Sequence, residues 1–329
     1  MPNRRRAFLV LVALAVLAAL SLVVALAAGS LAVSPAELLA ICIGADAGLA
    51  GEVVRNLRLP RALGAFACGG LLALAGGLMQ VLLRNPLADP YVLGISGGAA
   101  VGALTAMLAG LALVFINLAA FAGAFAAMLL VFGLAHGDSS WTRTRLLLTG
   151  VIVAAGCGAA VALILTVAPE HQLHGMLFWL MGDAGHIVNP WPALLVLAAG
   201  LLAVLPCARE LNLLARGEVL AGSLGVVVPR LKRIVYALAS LLTAVAVTTA
   251  GSIGFIGLVV PHLVRLAIGN DQRLLLPAAT LAGGSLLVLA DTLARTVVAP
   301  QQLPVGVLTA LLGVPVFLFL LGRQPGSHR

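Results

Sequence analysis

Ten apolar runs succeed one another along the chain, separated by short polar or Pro- and Gly-rich connections, and nothing else constrains the fold as much. The first covers residues 7–28, about the length that crosses a ~30 Å hydrocarbon core. The others cover about 60–83, 92–110, 114–135, 146–167, 191–208, 231–250, 254–268, 275–293 and 304–322. The remaining residues cannot make a water-facing surface. Hydrophobic residues are 62% of the 329 and charged residues 9%, against roughly a quarter charged in an ordinary soluble chain. Aromatic residues reach only 5% while Gly counts 37, and no segment alternates polar with apolar as barrel strands do. The expected fold is an all-α polytopic membrane protein, with residues 1–329 forming one transmembrane domain.

The basic residues set the orientation. Met1–Arg6 carries three arginines, so the first run is expected to start in the cytoplasm; at over 20 residues it exceeds the apolar core of a secretory signal and is expected to be retained. Ten spans then place both termini inside. The inner segments hold Arg4, Arg5, Arg6, Arg84, Arg143, Arg145, Arg209, Arg216, Arg230, Lys232, Arg233, Arg265, Arg273, Arg323 and Arg329, which is 15 of the 19 basic residues. The net charge of +8 is thus dispersed as topology signals, and no nucleic-acid partner is implied. Arg55, Arg58, Arg61 and Arg295 fall on the outer side instead. They are either anchors for helix ends at the lipid headgroups or a cationic rim for an acidic partner.

Several shorter stretches carry local signals. Residues 35–41 suit a small outer helix with Ser34 as N-cap, and residues 169–183 a half-helix that begins after Pro169. Asn85-Pro and Asp89-Pro impose a non-helical connection after the second span, and Gly94, Gly98 and Gly102 place a bare stripe on the third. The loop 209–230 suits two short cytoplasmic helices broken at Gly217 and Gly222. Gly251, Gly254 and Gly257, followed by Pro261, imply an irregular start to the eighth span.

Catalytic signatures are mostly absent. There is no phosphate loop, no His-Glu-x-x-His and no Gly-x-Ser-x-Gly. Ser252 and His262, ten residues apart, give no assembled nucleophile–base pair. His171 and His174 share a spacing that suits one helix face but lack a third metal ligand, and His262 stands alone. The four cysteines are scattered, as small buried hydrophobes. None of the eleven acidic residues is placed mid-span, which weighs against an ion-coupled secondary transporter, the main alternative.

Four stretches, in order, resemble the FecCD-type permease subunits of type II ATP-binding-cassette importers, which carry iron–siderophore complexes, heme or cobalamin. They are Arg58-Leu-Pro-Arg61; Asn85-Pro-Leu-Ala-Asp-Pro90 with Leu93-Gly-Ile-Ser-Gly97; Gly254-Phe-Ile-Gly-Leu-Val-Val-Pro-His262; and Leu303-Pro-Val-Gly-Val-Leu-Thr309 with Gly313-Val-Pro315. The resemblance implies ten spans, a homodimer in the bacterial inner membrane, two ATPase subunits that bind ATP and Mg, and a periplasmic binding protein; this chain itself would hold no cofactor. It implies that Arg58, Arg61 and Arg295 receive acidic residues of the binding protein. Glu218, Ala221, Leu224 and Gly225 would enter the ATPase groove. Asn85, Leu87, Thr142 and Arg143 would gate the cytoplasmic mouth, although the family more usually has small polar residues where Arg143 stands. Iron–siderophore is the expected cargo.

Overall fold

The computed structural model describes residues 4–29, 31, 33–44, 48–135 and 143–323. In chain order its helices are α1 (Arg4–Ala27), α2 (Pro35–Cys42), α3 (Gly48–Val53), α4 (Leu59–Leu83), α5 (Ile95–Leu108), α6 (Leu113–Ala135), α7 (Arg143–Val167) and α8 (Glu170–Met181). They continue with α9 (Trp191–Val204), α10 (Ala208–Arg216), α11 (Glu218–Ser223), α12 (Val228–Ala250), α13 (Ile256–Ile268), α14 (Gln272–Ala294) and α15 (Val305–Arg323). The described residues contain no strand. Seven helical stretches are long and apolar enough to cross a membrane; α5, α13 and α15 supply shorter apolar segments at the other expected positions.

At the centre stands α4, buried along almost its whole length. Glycine makes that possible, because helices in lipid gain their contact energy by close approach rather than by escape from water. A Cβ on Gly69 would overlap the Gly283 carbonyl of α14, and one on Gly76 the Gly257 carbonyl of α13. The stripe expected on α5 packs likewise: Gly98 faces Gly123 and Gly102 faces Ala119, both on α6. In contrast, α1 and α7 turn most of their apolar side chains outward.

Two four-helix units repeat the order long, short, long, long. The lengths are 25, 14, 23 and 25 residues in α4–α7, and 23, 13, 23 and 19 in α12–α15. Both short helices begin at a left-handed residue, Gly94 (φ 73°) and Phe255 (φ 70°). Five span positions, an odd number, run from the start of α4 to the start of α12, so the units have opposite orientations. In the orientation expected from the basic residues, the irregular segment before α5 comes from the inner side and that before α13 from the outer side. They meet inside the protein: Ile253 N–H donates to Tyr91 Oη at 3.0 Å, and the Ser96 and Ser252 hydroxyls lie 2.9 Å apart. Non-helical backbone at membrane depth is stable only when enclosed in this way.

The surface elements largely follow expectation. Ser34 Oγ accepts from Glu37 N–H while Glu37 reaches back to Ser34 N–H, a full capping box on α2. The half-helix after Pro169 is α8. The inner loop breaks at Gly217 (φ 147°) but not at Gly222, which lies within α11; the left-handed turn that ends the segment falls at Gly225 (φ 86°). A helix tolerates a glycine, whereas the reversal after it favours one, so the second break falls at Gly225 and not at the expected Gly222.

Candidate functional site

Two clusters at opposite ends of the bundle, outer and inner in the orientation expected from the basic residues, contain most of the residues singled out by sequence. The outer cluster is built on the end of α1. Its last carbonyls have no helical partners and sit at the negative end of the helix dipole. Arg58 Nη1 donates to Leu26 O at 2.7 Å and Ala27 O at 3.1 Å, and Nη2 donates to Leu31 O. Arg295 Nη1 donates to Ala28 O at 2.7 Å and Nη2 to Ala25 O. Gly29 leaves room for both groups: a Cβ there would lie 2.5 Å from Arg58 Nη2 and 3.1 Å from Arg295 Nη1.

Arg61 holds the cluster to α14. It makes a two-pronged ion pair with Asp291, Nε to Oδ2 at 2.9 Å and Nη2 to Oδ1 at 2.8 Å, and donates to Gln302 Oε1 at 2.8 Å. Asp183 follows at 3.8 Å from Arg61 and accepts from His186 Nδ1 at 3.0 Å. Burial pushes the Asp183 carboxyl up, but hydrogen bonds from His186 and from Gly185 N–H, with the Arg61 charge, hold it below its ordinary value. His186 is raised, first by the hydrogen bond to Asp183, against an opposing effect of burial. The three arginines expected at the outer rim are therefore together, and each is engaged by the chain itself. Asp291, one of the eleven acidic residues and not singled out by sequence, is buried, and a carboxylate buried in an apolar helix needs a cation.

The inner cluster is the loop of α10 and α11. Asn212 pins α10 to the start of α14: Nδ2 donates to Asp271 Oδ1 at 2.8 Å and Oδ1 accepts from Gln272 N–H at 2.9 Å. Glu218, at the first turn of α11, pairs with Lys232 of α12 at 3.1 Å. Ala221 is fully buried and forms the underside of α11. Val219 is 89% exposed, with Leu220, Leu224 and Val227 also on the surface. Sequence reasoning included Leu224 and Gly225 here but passed over Val219 and Leu220. Exposed Arg209, Arg216, Arg230 and Arg233 flank them in the chain.

Of the four residues expected to form a gate, Asn85 and Leu87 form the turn after α4, where Leu87 N–H donates to Asn85 Oδ1 at 2.9 Å. Arg143 begins α7, and Thr142 lies outside the described residues. Between the two clusters, Arg265 donates to Gln80 Oε1 at 2.7 Å and Gln80 Nε2 to Leu258 O at 3.1 Å, a buried polar link between α4 and α13. His262 is buried nearby, and its Nδ1 has no hydrogen-bond partner among the described residues. His171 and His174 are both exposed on α8. Among the described residues no three His, Cys, Asp or Glu side chains are grouped to hold a metal.

The profile of the FecCD transport family matches residues 15–323, nearly the whole helical bundle. The chain belongs to the FecCD transport family. This FecCD permease is 46% identical over 282 residues to the hemin transport system permease protein HmuU of Yersinia pestis, covering 82% of this chain and 83% of that protein. It is 38% identical over 317 residues, 94% of both chains, to a vitamin B12 import system permease protein BtuC of Escherichia coli. A cobalamin import system permease protein of Halobacterium salinarum is 43% identical over 274 residues, 82% of this chain and 73% of that one. A solved structure described as an inward-facing metal-chelate type ABC transporter superposes with a TM-score of 0.83 at 30% identity, covering 97% of this chain and all of that one. The protein is accordingly a permease subunit of an ABC importer, a transport component.

Proposed function

We propose that this FecCD permease forms a homodimer in the bacterial inner membrane, with both termini cytoplasmic, and imports a large metal chelate using ATP hydrolysed by two separate subunits. The single observation that supports this most strongly is the outward-turned apolar face of α11, with Val219 89% exposed on a short helix outside the bundle. Such a face needs a partner with a complementary apolar groove. The Glu218–Gly225 segment is the coupling element that enters this groove, and the flanking arginines suit an acidic rim around it. The dimer is proposed to form through the outward faces of α7 and α15, with the pathway on the two-fold axis between them. On α7, Cβ atoms at Gly156 and Gly158 would meet nothing within 4 Å.

At the outer face the periplasmic binding protein is proposed to dock by carboxylates on the rim of Arg58, Arg61 and Arg295. Arg61 and Arg295 retain partial exposure and supply the contacts, while the buried Arg58 adds its field from below. Asn85 and Leu87, with Thr142 and Arg143, are proposed to close the cytoplasmic mouth. The cargo class is a metal tetrapyrrole, hemin or cobalamin, in preference to the expected iron–siderophore complex, because three relatives at 38–46% identity whose names state a cargo are hemin, cobalamin and vitamin B12 permeases. The test is competition in proteoliposomes holding permease, ATPase subunits and binding protein. Uptake of labelled hemin or cobalamin should resist a tenfold excess of ferric siderophore; siderophore uptake that resists excess hemin and cobalamin would reverse the assignment.

A further inference from the structure

Lys232 is the only lysine in the chain, and it is 6% exposed although it lies one turn into α12 at the inner edge of the bundle. An ammonium group is strongly hydrated, so burying it needs a partner with excellent geometry. Glu218 supplies one: Nζ lies 3.2 Å from Oε1 and 3.1 Å from Oε2, bridging both oxygens. The carboxylate belongs to α11, a helix of six residues that starts after the sharp break at Gly217. So short a helix cannot hold its own direction. Its orientation has to come from what it touches, and besides the neighbouring α10 that is the buried Ala221 side chain and the Glu218 carboxylate held by α12.

We propose that Lys232 is a positioning residue that fixes the angle of the coupling helix through Glu218, so that α11 and α12 move as one piece. The inference rests on the coupling role proposed above and alters it at one residue. Glu218 turns inward to α12, and the partner-facing residues are Val219, Leu220 and Leu224. The far end of α12 is tied as well. Ala250 O accepts from Asp183 N–H at 2.9 Å, and a Cβ on Gly251 would overlap the Trp179 carbonyl. A rigid α11–α12 joint therefore links the ATPase-facing knob to the helix that ends beside the outer Asp183–Arg61–Asp291 cluster.

The test uses the full-length dimer in lipid nanodiscs, with its native cysteines replaced by alanine and nitroxides at Val219→Cys and Leu241→Cys. The distance distribution should be narrow in the otherwise unsubstituted chain and in Lys232→Arg, and at least twofold broader in Lys232→Met and Glu218→Gln. The double variant should be no broader than either single variant, the signature of one shared interaction. Should Lys232→Met fail to accumulate, Glu218→Gln carries the same reading. Equal distributions in Glu218→Gln and the unsubstituted chain overturn the proposal. A second arm cross-links Val219→Cys to the ATPase subunit, where Glu218→Gln should lower the yield at least fivefold. Absence of any cross-link in the unsubstituted chain would count against the coupling role itself, while the nitroxide distances still decide on Lys232.

Discussion

The outer and inner clusters place similar charged groups in opposite settings. Outside, Arg58, Arg61 and Arg295 are held by α1 carbonyls, Asp291 and Gln302, and they join three helices that are far apart in sequence. Inside, exposed arginines flank in the chain a small helix whose apolar side faces away from the bundle. A rigid outer surface on which three arginines outnumber the carboxylates of Asp291 and Asp183 suits a partner that arrives and leaves through long-range electrostatics. An exposed apolar knob suits one that stays.

This contrast can be broken most forcefully at Arg61. Arg61→Met leaves the buried Asp291 carboxylate with only Arg295, at 3.9 Å, and should cost about 3 kcal/mol of stability in detergent, most of it recovered by adding Asp291→Asn. Thermal unfolding of the two variants checks this, and neutrality of the single variant would remove the case for a rigid platform. Next comes Gly29→Ala, which forces the Arg58 and Arg295 guanidinium groups away from the α1 carbonyls. It should cost about 1–3 kcal/mol and speed amide exchange over the last turn of α1.

The inner cluster should respond in the opposite sense. Val219→Asp is expected to leave unfolding within about 0.5 kcal/mol of the unsubstituted chain, since the side chain touches little of the bundle. Affinity for the ATPase subunit should nevertheless fall at least tenfold, or about 1.4 kcal/mol, in a titration of nanodisc-bound permease. The smallest effect concerns pH. Because His186 is raised in the folded chain, its contribution is complete below the ordinary histidine value and is lost as pH rises through the raised one. Asp183 is lowered, so its contribution is present above the ordinary carboxylate value and is lost as pH falls through the lowered one. The outer cluster should be tightest at about pH 4 to 6.5. His186→Gln should flatten the alkaline side of a stability–pH curve.

What the sequence revealed depended on distance along the chain. The ten helical positions, the Ser34 cap, the break at Gly217 and the glycine stripe on α5 rest on neighbours within a few residues, where periodicity and capping rules apply. The hydrogen bonds of Arg58 and Arg295 to α1 span 31 to 270 residues, and nothing local marks them. The same holds for the Gly69–Gly283 crossing, where either glycine alone looks like any other in an apolar run. The rim arginines could be found by motif, but their internal partners could not. At the coupling loop the motif identified the segment, while only the packing of Ala221 and the Lys232 ion pair separates its inner side from its outer.

The claim that matters most is that this chain is driven through its inner cluster by a separate nucleotide-hydrolysing partner. It is tested most directly by measuring uptake of labelled hemin and cobalamin into proteoliposomes containing permease, ATPase subunits and binding protein, with ATP and ion gradients varied independently. Uptake of one or the other that requires ATP, persists without any ion gradient and is lost in Val219→Asp is the expected result. Uptake that follows a proton or sodium gradient in the absence of nucleotide would contradict it.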